Sequence, residues 1–263
     1  MYNNIVAEID LGIGIITLNR PERHNAFDDV LIGELSEAIG LMGADSAVRV
    51  LVLSSSGRSF CAGADLNWMK RAAGYSSEEN LRDSRALAEM LRRLAQCPKP
   101  TIARVQGAAY GGGVGLVACC DVAIATFEAQ FSLTEVKLGL IPAVISPHVI
   151  AAIGERYARR YMLTAERFSA AEAYRIGLVH ELVTDVEALD EAVGEIVDAV
   201  LNNGPGALAE CKQLIAAVAW KPLSSHVIED TAQRITRLRA SAEGREGMTA
   251  FLEKRKPRWI AQG

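Results

Sequence analysis

The sequence predicts an α/β fold whose functional loops gather at one side of the molecule. Apolar, β-branched runs alternate with helical periodicities three times along the chain. Each of those runs discharges into a segment of special backbone chemistry rich in glycine, serine or proline. From about residue 185 strand signals vanish, and the last third reads as a helical extension suited to self-association.

The elements follow in order. "IVAEIDLGIGIITLNR" places apolar residues in near-alternation around Gly12 and Gly14, which predicts a β-hairpin. "RPERHNAF" interrupts it, and Asn25 is expected to cap a helix running to about Gly40 with Leu31, Leu35, Ala38 and Ile39 on one face. "VRVLVLSS" has the composition of a buried strand, and its exit, "SSGRSFCAGAD", reads as a loop. Ser76 and Glu79 have capping-box spacing and open a helix to about Gln96, which "CPKP" stops. "TIARVQG" is a second strand leading into the glycines of 111 to 115 and a short helix; "DVAIAT" is a third, followed by the loop "FSLTEVKLGLIP". Beyond these, "DVEALDEAVGEIVDAVLNNG", "PGALAECKQLIAAVA" and the segment from Ser224 are helical by periodicity.

Composition narrows the function. A chain of 263 residues with 50% apolar and 23% charged residues can bury a substantial core in one large domain or a domain with an appendage. A net charge of -4 leaves no broad basic surface for nucleic acid. The five cysteines, at 61, 97, 119, 120 and 211, lack the paired spacing or histidine partners of a zinc site, so no metal is expected and a reduced, cytoplasmic setting is. Neither a secretory signal nor a run approaching about 18 apolar residues is present, so no membrane span is expected.

"YGGGVGLVACCD" holds four glycines within five positions and no ionisable group between Tyr110 and Cys119. It fits neither G-x-G-x-x-G nor the phosphate P-loop, which requires a following Lys-Ser/Thr. Glycine also lets a ligand touch bare backbone at a helix start, where free N–H groups and the dipole favour developing negative charge. Two such donors on one oxygen form an oxyanion hole, and "CAGAD" at 61 to 65 is a second loop able to supply one. His24, His180 and His226 and the adjacent cysteines 119 and 120 read as structural residues.

Five motifs, "FCAGADL", "VQGAAYGGGVGLVACCDVAIAT", "AQFSLTEVKLGLIP", "ERFSAAEAYRIGLV" and "EGMTAFLEKRKPRW", in this order resemble the crotonase family of enoyl-CoA hydratases and isomerases, and the resemblance covers nearly the whole chain. The resemblance implies a spiral of ββα units over residues 1–195 holding an acyl-CoA site. It implies a helical trimerisation region over 196–263, and a homotrimer or dimer of trimers. The thioester oxygen would be held by the N–H groups of Ala64 and Gly112 as it becomes an enolate, a side chain at 112 being an obstruction to its approach. Coenzyme A enters as part of the substrate, with no separate cofactor.

Of the two glutamates typical of the family's hydratases, Glu135 is present in the third loop, and the first position is occupied by Gly115. The resemblance further implies CoA contacts from Ala62, Ala64, Asp65, Leu66 and Asn67, with Arg23 near the phosphates. Phe251 and Lys254 would reach CoA across a subunit boundary. In detail the chain looks most like bacterial hydratases of 3-methylglutaconyl-CoA and isohexenylglutaconyl-CoA, and "AVISPHVI" stands where many members are glycine-rich. A distal carboxylate on such a substrate calls for a cation; Lys70, Arg71, Arg82 and His148 are candidates, none of them assigned. The reading is hydration of a branched 2-enoyl-CoA with Glu135 as acid/base. The alternatives are a Δ3,Δ2-enoyl-CoA isomerase with Glu135 as sole proton shuttle, or an acyl-CoA-binding protein without chemistry.

Overall fold

A computed structural model describes residues 2–260. β1 (Ile5–Asp10) and β2 (Ile13–Leu18) pair antiparallel with Ile5 opposite Leu18, and the two-residue turn between them carries φ of 45° at Leu11 and 89° at Gly12. Positive φ at both positions matches the right-handed twist of a tight hairpin, which is why glycine serves there. α1 (Asp29–Ala44) follows, its first turn capped by the Asp28 carboxylate accepting from Leu31 N–H. The expected cap, Asn25, is a correction: it is buried in a left-handed conformation at φ 54°, and its amide donates to the carbonyls of Ser56 and Ser59. Its side chain is committed to distant backbone and closes a loop rather than starting a helix.

β3 (Val50–Ser55) is buried throughout, and the chain then forms β4 (Ser59–Cys61), α2 (Leu66–Ala72) and α3 (Ser77–Ala95). The Ser76/Glu79 capping box is present in both directions at the start of α3. β5 (Thr101–Val105), β6 (Ala108–Tyr110) and α4 (Gly112–Cys119) make the next unit. β7 (Val122–Thr126), β8 (Gln130–Ser132) and α5 (Ser146–Thr164), broken at Gly154, make the third. β9 (Phe168–Ser169), α6 (Ala170–Arg175) and β10 (Glu181–Val183) complete the core. α7 (Val186–Leu201), α8 (Pro205–Val218), α9 (Ser225–Ala240) and α10 (Ala242–Leu252) form the helical last third.

The strands divide into two sheets, ordered β1-β2-β3-β5-β7-β10 and β4-β6-β8-β9. All neighbours are parallel except β1 with β2 and β8 with β9. Each ββα unit thus contributes one strand to each sheet before its helix returns the chain, so the chain winds as a spiral. Residues 59–61 and 131–132, read as parts of loops, therefore lie in the short strands β4 and β8, a further correction, and 108–110, given no element in the sequence reading, form β6. Three small or polar residues carry too little alternation to signal a strand on their own.

The main core lies among both sheets and α1, α3, α4 and α5, with Leu31, Leu35, Phe60, Leu91, Phe131 and Tyr161 inaccessible or nearly so. A second cluster joins Val50, Val52, Ile102 and Ile124 to Leu189, Ala192, Val193 and Val197 of α7. The 195/196 boundary falls within α7, the helix that covers this sheet face. No helix among the described residues is long and apolar enough to cross a membrane.

Candidate active site

Three adjacent parallel strands of the small sheet build the site. Ala64 follows the end of β4, Gly112 the end of β6, and Glu135 the end of β8. Parallel strands expose their carboxyl ends on one side, so all three segments emerge into one cleft of about 700 Å³. Its lining includes Phe27, Ala62, Ala64, Leu66, Trp68, Gly112 and Glu135, with an apolar wall from Leu138 through Ile145.

The N–H groups of Ala64 and Gly112 meet no acceptor among the described residues. Ala64 pairs with Phe27 in a parallel bridge in which its neighbours carry the hydrogen bonds: Phe27 N–H to Gly63 carbonyl and Asp65 N–H to Phe27 carbonyl, each 2.7 Å. This leaves the intervening Ala64 N–H turned away from the bridge. Gly112 is the first residue of α4, where an N–H has no intrahelical partner and the dipole is positive.

Glycine at 112 also answers a packing demand. A Cβ there would lie 2.6 Å from Cε2 of the Phe27 ring, so ring packing by itself excludes a side chain. Gly111, at φ 49°, would carry a Cβ 3.2 Å from Oε1 of Glu135, so the carboxylate rests against bare backbone. Oε2 of Glu135 is buried with no hydrogen-bond partner among the described residues. Burial raises the pKa of this carboxyl above its usual value, opposed by its own backbone N–H.

The residue at the first-glutamate position, Gly115, is also explained by packing. A Cβ on it would meet Ile145 Cγ2 at 2.4 Å, and Ile145 is 2% exposed. Ile145 belongs to "AVISPHVI", so the glycine at 115 and the non-glycine segment at 143–150 are two halves of one fitted contact.

The remaining predicted residues divide. Ala62 and Leu66 line the cleft with Ala64; Asp65 and Asn67 do not. Asp65 is 5% exposed; it caps α2 through the N–H groups of Asn67 and Trp68 and pairs with Arg23 at 3.0 Å. Burial opposes its ionisation, but those N–H donors and Arg23 outweigh it and hold its pKa low. Phe251, 82% exposed, and Lys254 lie outside the lining of this cleft.

None of Lys70, Arg71, Arg82 and His148 lines the cleft, whose charged lining residues are Glu135 and Asp83. Arg71 pairs with Asp29, and burial lowers the pKa of the half-buried His148. Asp83 accepts from the Trp68 indole at 3.2 Å, tying α3 to α2 in the cleft wall. Burial pushes the Cys61 thiol up to about 12 and raises Cys119 and Cys120, which keeps these thiols unreactive.

Sequence reasoning passed over Phe27, Asp83 and Ile145. Only Ile145 left a signal, in the segment noted as unusual; nothing local marks Phe27 as a neighbour of Gly112.

The family model for enoyl-CoA hydratase/isomerase matches residues 8–262. A crotonyl-CoA hydratase of Syntrophomonas wolfei is 34% identical, covering 99% of this chain and 99% of its own. The 1,2-epoxyphenylacetyl-CoA isomerase of Escherichia coli is 32% identical over the whole of both chains. The crystal structure of an enoyl-CoA hydratase from Shewanella pealeana superposes with a TM-score of 0.95 at 44% identity, covering 98% of this chain and 96% of that one.

Proposed function

The chain belongs to the enoyl-CoA hydratase/isomerase family, and from that premise we propose that it hydrates a 2-enoyl-CoA thioester with Glu135 as the one acid/base group. The observation that carries this reading is the buried, unpartnered Oε2 of Glu135 in the cleft that two unclaimed backbone N–H groups also line.

The thioester oxygen accepts from the N–H groups of Ala64 and Gly112. Glu135, ionised, takes a proton from a water; the water oxygen bonds to Cβ, and the C=C electron pair moves through Cα onto the thioester oxygen as an enolate. The enolate then collapses, and Cα takes the proton that Glu135 received. One carboxylate completes both transfers, and a raised pKa suits it to them. Donors fixed in the backbone need no reorganisation as the charge develops, which is where this arrangement gains most.

For the acyl group we favour a branched chain of the 3-methylglutaconyl type, on the strength of the motifs around Asn67, Glu135 and Ile145. Its distal carboxylate finds no cation in the lining of the same subunit's cleft, so this choice places that group toward the cleft mouth or a neighbouring subunit. Contacts of CoA with the 62–67 backbone, Arg23, Phe251 and Lys254, assembly as a trimer or dimer of trimers, and a cytoplasmic location belong to the same proposal.

The packing of Ile145 on Gly115 favours a second reading. With no carboxylate at 115, Glu135 alone could carry a proton between Cα and Cγ, giving a Δ3,Δ2-enoyl-CoA isomerase. Purified protein given 3-methylglutaconyl-CoA, crotonyl-CoA and a 3-enoyl-CoA distinguishes the two. Hydration removes the conjugated thioester absorbance; isomerisation alone creates it from the 3-enoyl substrate. Glu135→Gln is expected to lower turnover at least about 10²-fold. Unchanged turnover would remove Glu135 from the mechanism, and no turnover of any of the three by the wild type would favour a binding protein.

A further inference from the structure

Resting on the reading that the Ala64 N–H holds the thioester oxygen, we propose that Arg20 is a positioning residue that fixes the aim of that N–H. Arg20 is 6% exposed, and it contacts both sides of the bridge that presents Ala64. One guanidinium nitrogen donates to the Ala26 carbonyl at 2.9 Å and lies 2.8 Å from the Asp28 carboxylate; the other lies 3.5 Å from the Asp65 carboxylate. Its own backbone N–H donates to the Asn25 side chain at 2.8 Å.

Residues 26 and 28 flank Phe27, and residue 65 follows Ala64. The fork therefore grips the bridge outside its own two backbone bonds and restrains the twist between segments that no regular sheet holds. The same clamp extends to the second donor, because the Phe27 ring fills the space that a Cβ on Gly112 would occupy.

Filling this space with an apolar side chain would avoid desolvating a charge, and burying a guanidinium is a poor way to gain stability alone. What a planar fork supplies is a fixed angle between several acceptors, which the single ammonium of lysine cannot reproduce. Geometry at Ala64 is the property of this neighbourhood most sensitive to that angle.

The test compares wild type with Arg20→Lys and Asp28→Asn, the latter keeping a capping side chain on α1 while removing the charge facing Arg20. Three quantities are read: kcat and KM for the substrate the wild type turns over, melting temperature, and the infrared stretch of the carbonyl in a bound, ¹³C-labelled saturated acyl-CoA. In wild type the stretch should shift to lower frequency on binding. Arg20→Lys should lose much of that shift and roughly ten- to a hundredfold of kcat, with KM within about threefold. Asp28→Asn should move both in the same direction by less, and it carries the test alone if Arg20→Lys does not fold. A shifted carbonyl and wild-type kcat in the folded variants, with only the melting temperature lowered, overturn the Arg20 assignment and leave the functional reading standing. A wild type that binds the thioester without shifting its carbonyl overturns the functional reading and the assignment with it.

Discussion

Glu135 shows how burying one carboxyl couples stability to pH. Its folded pKa is raised by burial, so the folded protein holds the proton more tightly than the unfolded chain does. The carboxyl's contribution to stability is fully present below the ordinary value of 4.5 and is lost as pH rises through the raised folded value. Glu135→Gln removes that loss. The variant is therefore expected to melt at a temperature similar to wild type near pH 4 and above it near pH 8, with the gap opening between. Calorimetry across that range checks the sign, and a gap that widens toward acid would contradict it. Glu135 was legible from the sequence because its motif surrounds it. The packing reason for glycine at 112 was not, since it lies in a Phe27 ring eighty-five positions away in the chain.

The contact between α4 and the start of α5 turns on one fit, Gly115 under Ile145. Gly115→Ala gains helix propensity but inserts a methyl 2.4 Å from Ile145 Cγ2, and overpacking of that kind costs about 1–3 kcal/mol. Ile145→Ala opens a cavity at a cost of about 2–5 kcal/mol. The double variant should cost less than the two summed, by at least about 0.5 kcal/mol, because each change relieves the other. Urea unfolding of the four proteins measures this, and strict additivity would deny the fit. At this scale the sequence reads well where an element carries a long pattern, as in the buried run of β3, the capping box of α3 and the amphipathic α7. It reads poorly at β4, β6 and β8, whose three residues owe their extended form to neighbours across the sheet, and at Asn25, whose role depends on Ser56 and Ser59.

The molecule as a whole leaves Trp220, Leu223, Ile228, Phe251 and Leu252 exposed along its helical last third. Exposed apolar side chains of this size are what the proposed trimer would cover. Light scattering is expected to give three or six times the chain mass, and Ile228→Asp to reduce it; a monomer at micromolar concentration would refute the trimer. A deeper consequence follows from the order β4-β6-β8. Hydrogen-bonded strands stand about 4.8 Å apart, so the small sheet acts as a ruler on whose neighbouring divisions the two backbone donors and the carboxylate are mounted. That spacing is a property of the peptide ladder, and no single side-chain change can redraw it. On the proposed reading, substitutions around positions 115, 135 and 145 change what reacts, while the strand spacing that sets the two donors and the carboxylate apart stays with the ladder.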